Sequence, residues 1–250
     1  MTGMNIQDYL EQGGKLTSPE NVPPRYRGEL MRLMASFVDS ELAAAAGFAD
    51  AINDAPGIRN RIAAAQIVQE KLANAGKVLA VMSEFGADTA RYDNQHTWSA
   101  RMDRHADLAA ARHGGDMRLS VFHYPVQGWI DAVVLQFLMG LATDVQMSDM
   151  TRVSYAPLAD AFRDIALREA HHTDMARQGL SLIVDTTEGR SQAGQSVGYW
   201  LPRVEAAFGQ AGSQRFETLR KFGLRHSPNE DLRDTWRAKA ADELAALKLN

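Results

Sequence analysis

The sequence contains no cysteine. This absence excludes disulfide bonds, thiolate metal sites and cysteine nucleophiles, and it fits a reducing compartment. Any metal ion would therefore be held by His, Asp or Glu side chains.

Long uninterrupted apolar runs are also missing. The longest, "AVVLQFLMGLA", contains Gln136 and spans about half of the ~20 residues that a membrane helix needs. The first residues, "MTGMNIQDYLEQGGKLTSPE", include no basic segment followed by an apolar run, so they do not resemble a secretory signal. We expect a cytoplasmic protein without a membrane span.

Neither sign of charge dominates, since 27 Lys and Arg stand against 31 Asp and Glu and give a net charge of -4. The basic residues are scattered, and nucleic-acid binding is therefore not expected. The 250 residues, 45% of them hydrophobic, are enough for one sizeable core. We expect a single domain over residues 1–250, with residues 1–24 as a poorly ordered or extended arm.

Apolar residues recur at steps of three and four, whereas alternating β-branched runs are nearly absent, so the fold class is predicted to be all-α. A long connection over residues 87–124 separates two predicted helix pairs, as in ferritin-like four-helix bundles. Two or three further helices follow, the last beginning at Ser227 and Pro228. The four main helices are predicted at residues 25–51, 58–85, 127–149 and 157–184.

Several acidic and histidine residues match the pattern of a carboxylate metal centre. Such a bundle binds two irons through one carboxylate from each of two helices and Glu-x-x-His from each of the other two. Glu169 and His172 have the latter spacing, which places them on one helix face. Glu41 lies among alanines of the first helix. Asp131 lies in the apolar third helix, where an unpaired carboxylate is costly unless a cation binds it.

Four segments of the sequence carry a family resemblance. Together they resemble the phenylacetic acid catabolic proteins, and more the catalytic A-type chains of the ring 1,2-phenylacetyl-CoA epoxidases than the scaffold C-type chains. The segments are "YRGELMRLMASFVDSE", "FHYPVQGWIDAVVLQF", "SYAPLADAFRDIALREAHH" and "NEDLRDTWRAKAADELAALKL".

The resemblance implies a ferritin-like oxygenase whose two-iron centre uses O2 to epoxidise the aromatic ring of a CoA thioester. It also implies a reductase, a second ferritin-like subunit, and a homo- or hetero-oligomeric assembly. The family's ligand positions fall on Glu41, Asp131, Glu169 and His172. Its helix-two motif, Gln-Asp-Glu-x-x-His-Gly, falls on residues 69–75 and places two non-ligands, Lys71 and Asn74, at the Glu and His positions.

One helix therefore loses both of its ligands. The remaining set of Asp131, Glu169 and His172 suits Fe(II), Mn(II) or Zn(II). We expect one iron at most, manganese as an alternative, or no metal. The ammonium of Lys71 is expected to point toward Glu41 and Glu169 and to neutralise them.

Other interpretations of these positions stay open. Lys71 could instead extend to solvent, with Asn74 as an ordinary packing residue. The adjacent Glu70 could replace the lost ligand if a π-bulge turned it inward.

The expected function is that of an oxygenase of the A type whose centre is at most partly retained, so that enzymatic activity itself stays uncertain. The alternatives are a non-catalytic scaffold or regulatory subunit without metal, and a mononuclear metalloprotein. The expected substrate is an aromatic acyl-CoA. Its phosphates could contact arginines of the long connection, although charged loops are more often simply solvated; the candidates are Arg104, Arg112 and Arg118.

Overall fold

A computed structural model describes residues 6–94, 97–106 and 116–249. Within these ranges the chain is helical and no strand is formed. The α-helices are α1 (Ile6–Glu11), α2 (Pro24–Asp50), α3 (Gly57–Glu84), α4 (Arg91–Asn94), α5 (Gly128–Met150), α6 (Ala156–Val184), α7 (Thr187–Ala206), α8 (Gln214–Lys221) and α9 (Asn229–Ala246).

Four long helices form the bundle. Helices α2 and α3 pack as one pair, α5 and α6 as the other, and α3 also contacts α6. The described parts of the connection between α3 and α5 contact α2 and α7, while α7 and α9 pack on α5. This arrangement confirms the predicted all-α, ferritin-like fold with additional C-terminal helices.

The ends of these helices follow from local sequence. Proline occupies the first turn of α2 and of α6, where its missing N–H costs no hydrogen bond. Gly57 and Gly86 have φ of 73° and 71°, values that a residue with a side chain rarely adopts, and they mark the start and the end of α3. Each predicted end of the four main helices lies within one residue of the observed end.

Helix α5 is the centre of the core. It contacts α6, α7 and α9, which explains why its sequence is apolar on every side. By length and composition it could cross a membrane, but 72% of its most apolar window is buried inside the protein. This degree of burial is typical of a core helix. The apolar sequence of α5 is therefore explained by its position inside the bundle.

Part of the segment expected as an arm is packed on the bundle. Leu10 and Leu16 are buried, and the backbone of Leu16 pairs with Ser154 and Ala156 at the turn between α5 and α6. The described residues of this segment are therefore neither wholly extended nor detached, because two leucines provide it with an apolar anchor.

Candidate functional site

A cluster of charged and polar side chains lies inside the bundle. Helix α2 contributes Glu41, α3 contributes Lys71 and Asn74, and α6 contributes Glu169 and His172. Each of these residues is at most 6% exposed. Side chains with these charges are almost never fully buried without partners, so their contacts determine what the cluster can do.

Lys71 is the centre of this cluster. Its Nζ donates to Oε2 of Glu169 at 2.8 Å and to Oε1 of Glu41 at 3.5 Å. The predicted contact with both carboxylates is thus found, and the alternative in which Lys71 extends to solvent is wrong. Burial lowers the pKa of Lys71, but the attraction of Glu169 and Glu41 raises it above its ordinary value. The side chain is therefore a buried cation.

Glu169 is the anion that matches this cation. Besides Lys71, it accepts a hydrogen bond from Nδ2 of Asn74 at 2.9 Å, and Nδ1 of His172 lies 3.3 Å from its Oε1. Burial raises the pKa of Glu169, but the charge of Lys71 and the contact with His172 outweigh burial and lower it to about 2. The carboxylate is ionised and fully occupied by groups of the protein.

The pKa of Glu41 is shifted in the opposite direction to that of Glu169. Burial and the nearby charge of Glu169 raise its pKa to about 8, although Lys71 acts to lower it. Its Oε2 is buried and has no hydrogen-bond partner among the residues that the structure describes. Burial therefore favours the uncharged form of Glu41, whereas Glu169 forms a buried ion pair with Lys71.

Glu70 approaches the cluster from its partly exposed side. Its Oε2 lies 2.7 Å from Nε2 of His172, and α3 makes this contact as a regular α-helix over its whole length. A π-bulge is therefore not needed to bring Glu70 to His172. The two ring nitrogens of His172 face different carboxylates, Nδ1 toward Glu169 and Nε2 toward Glu70. A metal ion bound to one of these nitrogens would therefore not contact both carboxylates.

The structure does not bring Asp131 to this cluster. Its Oδ2 and Oδ1 accept from the guanidinium of Arg104 at 2.8 and 3.0 Å. From α7, Ser196 Oγ and Trp200 Nε1 donate to Oδ1 at 2.6 and 2.8 Å, and the backbone N–H of Gln127 donates to Oδ2. Burial raises the pKa of Asp131, but these bonds lower it below its usual value. Arg104, rather than a metal ion, neutralises this buried acid.

The side of α5 that faces the cluster contributes no carboxylate. The α5 residues that line the pocket beside Glu41, Lys71 and Glu169 include Ala132, Gln136, Met139 and Gly140. A Cβ built on Gly140 would lie 2.4 Å from Oγ1 of Thr173, the residue after His172, so an acidic side chain has no room there.

The residues present do not fit a two-iron centre. Within residues 6–94, 97–106 and 116–249, no group of three or more His, Asp or Glu side chains is arranged to hold a metal ion. The four residues predicted as ligands do not surround one point. Asp131 binds Arg104 outside the cluster, and the carboxylate of Glu169 is paired with Lys71.

The arginines considered for CoA phosphates are also paired within the protein. Arg104 binds Asp131 and stacks 3.6 Å from the centre of the Tyr199 ring. Arg118 binds Asp116 and the carbonyl oxygens of Trp98 and Ala100. Neither guanidinium projects into solvent, and their contact with CoA phosphates stays a prediction. Arg112 lies outside the described residues.

A partly open pocket adjoins the cluster. Its volume is about 170 Å³, and Glu41, Lys71 and Glu169 form part of its wall. Most of the remaining wall is apolar and includes Phe37, Phe48, Phe122, Leu135 and Met139. The arrangement resembles a small-molecule pocket, in which a few polar groups are set in an apolar surface.

The comparisons with known proteins agree with the resemblance seen in the sequence. Residues 6–250 match the family described as Phenylacetic acid catabolic protein. The chain is also similar to the A component of the 1,2-phenylacetyl-CoA epoxidase of Escherichia coli (strain K12), with 25% identity over 223 residues. That alignment covers 87% of this chain and 62% of the relative's length. The chain belongs to the phenylacetic acid catabolic protein family.

Proposed function

We propose that this chain serves a phenylacetyl-CoA epoxidase-type system as a metal-free ferritin-like subunit. In this proposal it does not activate O2 itself, because Lys71 neutralises Glu169 and contacts Glu41 at positions where the resemblance implies iron. The observation that carries the proposal is the buried contact of Lys71 Nζ with Glu169, 2.8 Å, and with Glu41, 3.5 Å.

The energetics of burial support a stable, metal-free centre. A metal ion bound to Glu169 would have to displace Lys71, Asn74 and His172 from its oxygens. The displaced ammonium would then stay buried beside a second cation, and uncompensated buried charges cost several kcal/mol. The present set of one cation and one anion avoids this cost.

The proposed role is structural and cytoplasmic. The chain would pair with a reductase and with a ferritin-like subunit that bears the metal, and the aromatic acyl-CoA would be oxidised by the complex. The buried cluster would hold α2, α3 and α6 at fixed distances, and so keep the outer surface of the bundle in a shape that a partner can recognise. The similarity to the A component of an epoxidase supports a place for this chain in such a system.

Metal analysis tests the proposal. Iron and manganese per chain would be measured after expression with both metals supplied, for the wild type and for Lys71→Glu/Asn74→His. We expect no stoichiometric metal in the wild type and at most one ion in the double variant, since α5 supplies no carboxylate.

His171→Ala is the matched control, because His171 is exposed beside His172 and its removal should leave the metal content unchanged. One iron or manganese per wild-type chain would overturn the proposal. Two ions per chain in the double variant would contradict the statement that α5 supplies no carboxylate ligand.

A further inference from the structure

An exposed, uncharged stripe follows the outer face of α3. Its three large side chains, those of Ile58, Ile62 and Leu72, are 73%, 60% and 48% exposed. Helical spacing places smaller exposed residues between and beyond them on the same face. The members of this α3 stripe are Ile58, Ile62, Ala65, Gln69, Leu72, Ala73, Gly76 and Ala80. Exposed apolar surface that is contiguous in this way indicates a contact with another molecule.

Two charged side chains of α3 at the edges of the stripe are engaged within the chain. Arg61 donates to the carbonyl oxygens of Ala55 and Asn53, and Lys77 pairs with Asp164 on α6. The stripe itself carries no charge. A strongly acidic, basic or lipid-headgroup surface would therefore find no complementary charge on it, whereas an uncharged protein surface fits it.

The stripe is complementary to a second copy of itself. Antiparallel packing of two α3 helices about a two-fold axis at Gln69 sets each large residue of one copy against a small residue of the other. The pairs are Ile58 with Ala80, Ile62 with Gly76, and Leu72 with Ala65. Large side chains that meet small ones allow two helices to interdigitate. A Cβ built on Gly76 meets no described atom within 4 Å, so there is space for Ile62 of the second copy.

The centre of the stripe also suits a two-fold axis. The amide of Gln69 contains both a donor and an acceptor, so two copies of this side chain can pair with each other. Parallel packing in register would instead set Ile62 against itself and Gly76 against itself, crowding one end and leaving a gap at the other. The order of large and small residues therefore favours the antiparallel arrangement.

We propose that two copies of this chain associate through α3, antiparallel and with the two-fold axis at Gln69. The contact is isologous, so it closes with two copies, and it removes the exposed isoleucines from water. It involves the outer face of α3, whereas Lys71 and Asn74 lie on the inner face. The pairing is thus separate from the proposed function.

Sedimentation equilibrium of the purified full-length chain tests the pairing. We expect a reversible dimer in the wild type. Because the axis repeats each residue, Ile62→Glu removes two buried isoleucines, each worth about a tenfold factor or more, and the dissociation constant should rise at least about a hundredfold. Leu167→Glu is the matched control. Leu167 is an apolar residue of α6, 76% exposed and outside the stripe, and its replacement should leave the dissociation constant unchanged.

Introduced thiols test the register, because the chain has no cysteine of its own. Helix axes about 8–10 Å apart, with Cα atoms about 2.3 Å from each axis, bring the two Cα atoms of residue 69 to roughly 4–6 Å, within the range of a disulfide. Gln69→Cys should therefore form a linked dimer on mild oxidation. Ile62→Cys alone should not, since its two copies would lie about 21 Å apart along the helices. A mixture of Ile62→Cys chains with Gly76→Cys chains should link.

A wild-type chain that stays monomeric at every concentration would overturn the proposal. A dimer that Ile62→Glu leaves intact would also overturn it, because another surface would then join the copies. Linkage of Ile62→Cys as efficient as that of Gln69→Cys would contradict the antiparallel register. Circular dichroism would establish that each variant is folded. Neither measurement depends on metal content, so failure here is distinguishable from failure of the proposed function.

Discussion

The Nζ atom of Lys71 lies 2.8 Å from Oε2 of Glu169, between helices α3 and α6 and away from solvent. The two residues are 98 positions apart in the chain, so their contact joins the two helix pairs of the bundle. The same ammonium reaches Glu41 on α2. One lysine side chain therefore links three of the four bundle helices.

Removing this cation should destabilise the protein strongly. Lys71→Met leaves the Glu169 carboxylate buried without its main partner, and breaking a buried pair in this way costs about 3–5 kcal/mol. The free energy of unfolding would be measured by urea denaturation.

Lys77→Met is the matched control for that measurement, because Lys77 pairs with the largely exposed Asp164. A surface pair contributes only ~0–1 kcal/mol. Equal losses in the two variants would contradict the view that Lys71 carries the interior charge balance.

Glu41 should make the protein less stable as the pH rises from about 5 to 8. Its folded pKa, about 8, is above the ordinary value of 4.5. The stability that it contributes is therefore complete below pH 4.5 and is lost as the pH rises through 8. Between pH 5 and pH 8 the free energy of unfolding of the wild type should fall by an amount on the order of 3 kcal/mol because of Glu41. In Glu41→Gln this pH-dependent loss should be absent.

Urea denaturation at pH 5 and pH 8 would check this prediction, with the wild type and Glu41→Gln compared at each pH. Glu169 does not interfere, because its pKa is lowered to about 2 and its stabilisation is lost only as the pH falls below about 4.5 toward 2. If both proteins lost the same stability between pH 5 and 8, Glu41 would not be the group responsible.

Arg104 should be needed for stability because it neutralises buried Asp131. Arg104→Met removes two hydrogen bonds to Asp131, one to the carbonyl oxygen of Pro125, and the opposing charge, and the expected loss of stability is about 2–4 kcal/mol. Arg177→Met is the control, since Arg177 pairs with Asp174 and both side chains are about half exposed. Thermal unfolding would measure the stability of both variants. If Arg104→Met lost no more stability than Arg177→Met, Asp131 would tolerate burial without Arg104.

Gly140 should tolerate no side chain. Gly140→Ala would bring a Cβ to 2.4 Å from Thr173 Oγ1, and overpacking of this kind costs about 1–3 kcal/mol. Gly194→Ala in α7 meets open space and should be neutral or stabilising by about 0.5–1 kcal/mol. Unfolding by urea measures both, and a stable Gly140→Ala would mean that α5 and α6 can separate enough to admit a side chain there.

The sequence was sufficient to predict the four bundle helices and the position of Lys71, but not α1, which lies in the segment expected as an arm. Both depend on local geometry: proline and glycine end the helices, and helical spacing places residues 71 and 74 on one face. Because Glu169 and His172 share a face of α6 by the same spacing, the meeting of α3 and α6 was predictable once the bundle was assumed.

The partner of Asp131 was not predictable in this way. A lone acid in an apolar helix indicated correctly that burial had to be compensated, but not by which group. The compensating donors, Arg104, Ser196 and Trp200, are 27, 65 and 69 residues away along the chain. Only the packing of α7 and of the crossover connection against α5 brings them together, and no spacing in the sequence encodes that packing.

In the proposed function, Lys71 occupies the place of a metal ion. A titration of the wild-type chain with Mn(II), followed by electron paramagnetic resonance of the free ion and by the NMR signal of His172, tests it most directly. We predict that the free-ion signal stays undiminished and that the His172 resonance keeps its line width. Loss of one equivalent of free Mn(II), together with broadening of His172, would contradict the claim.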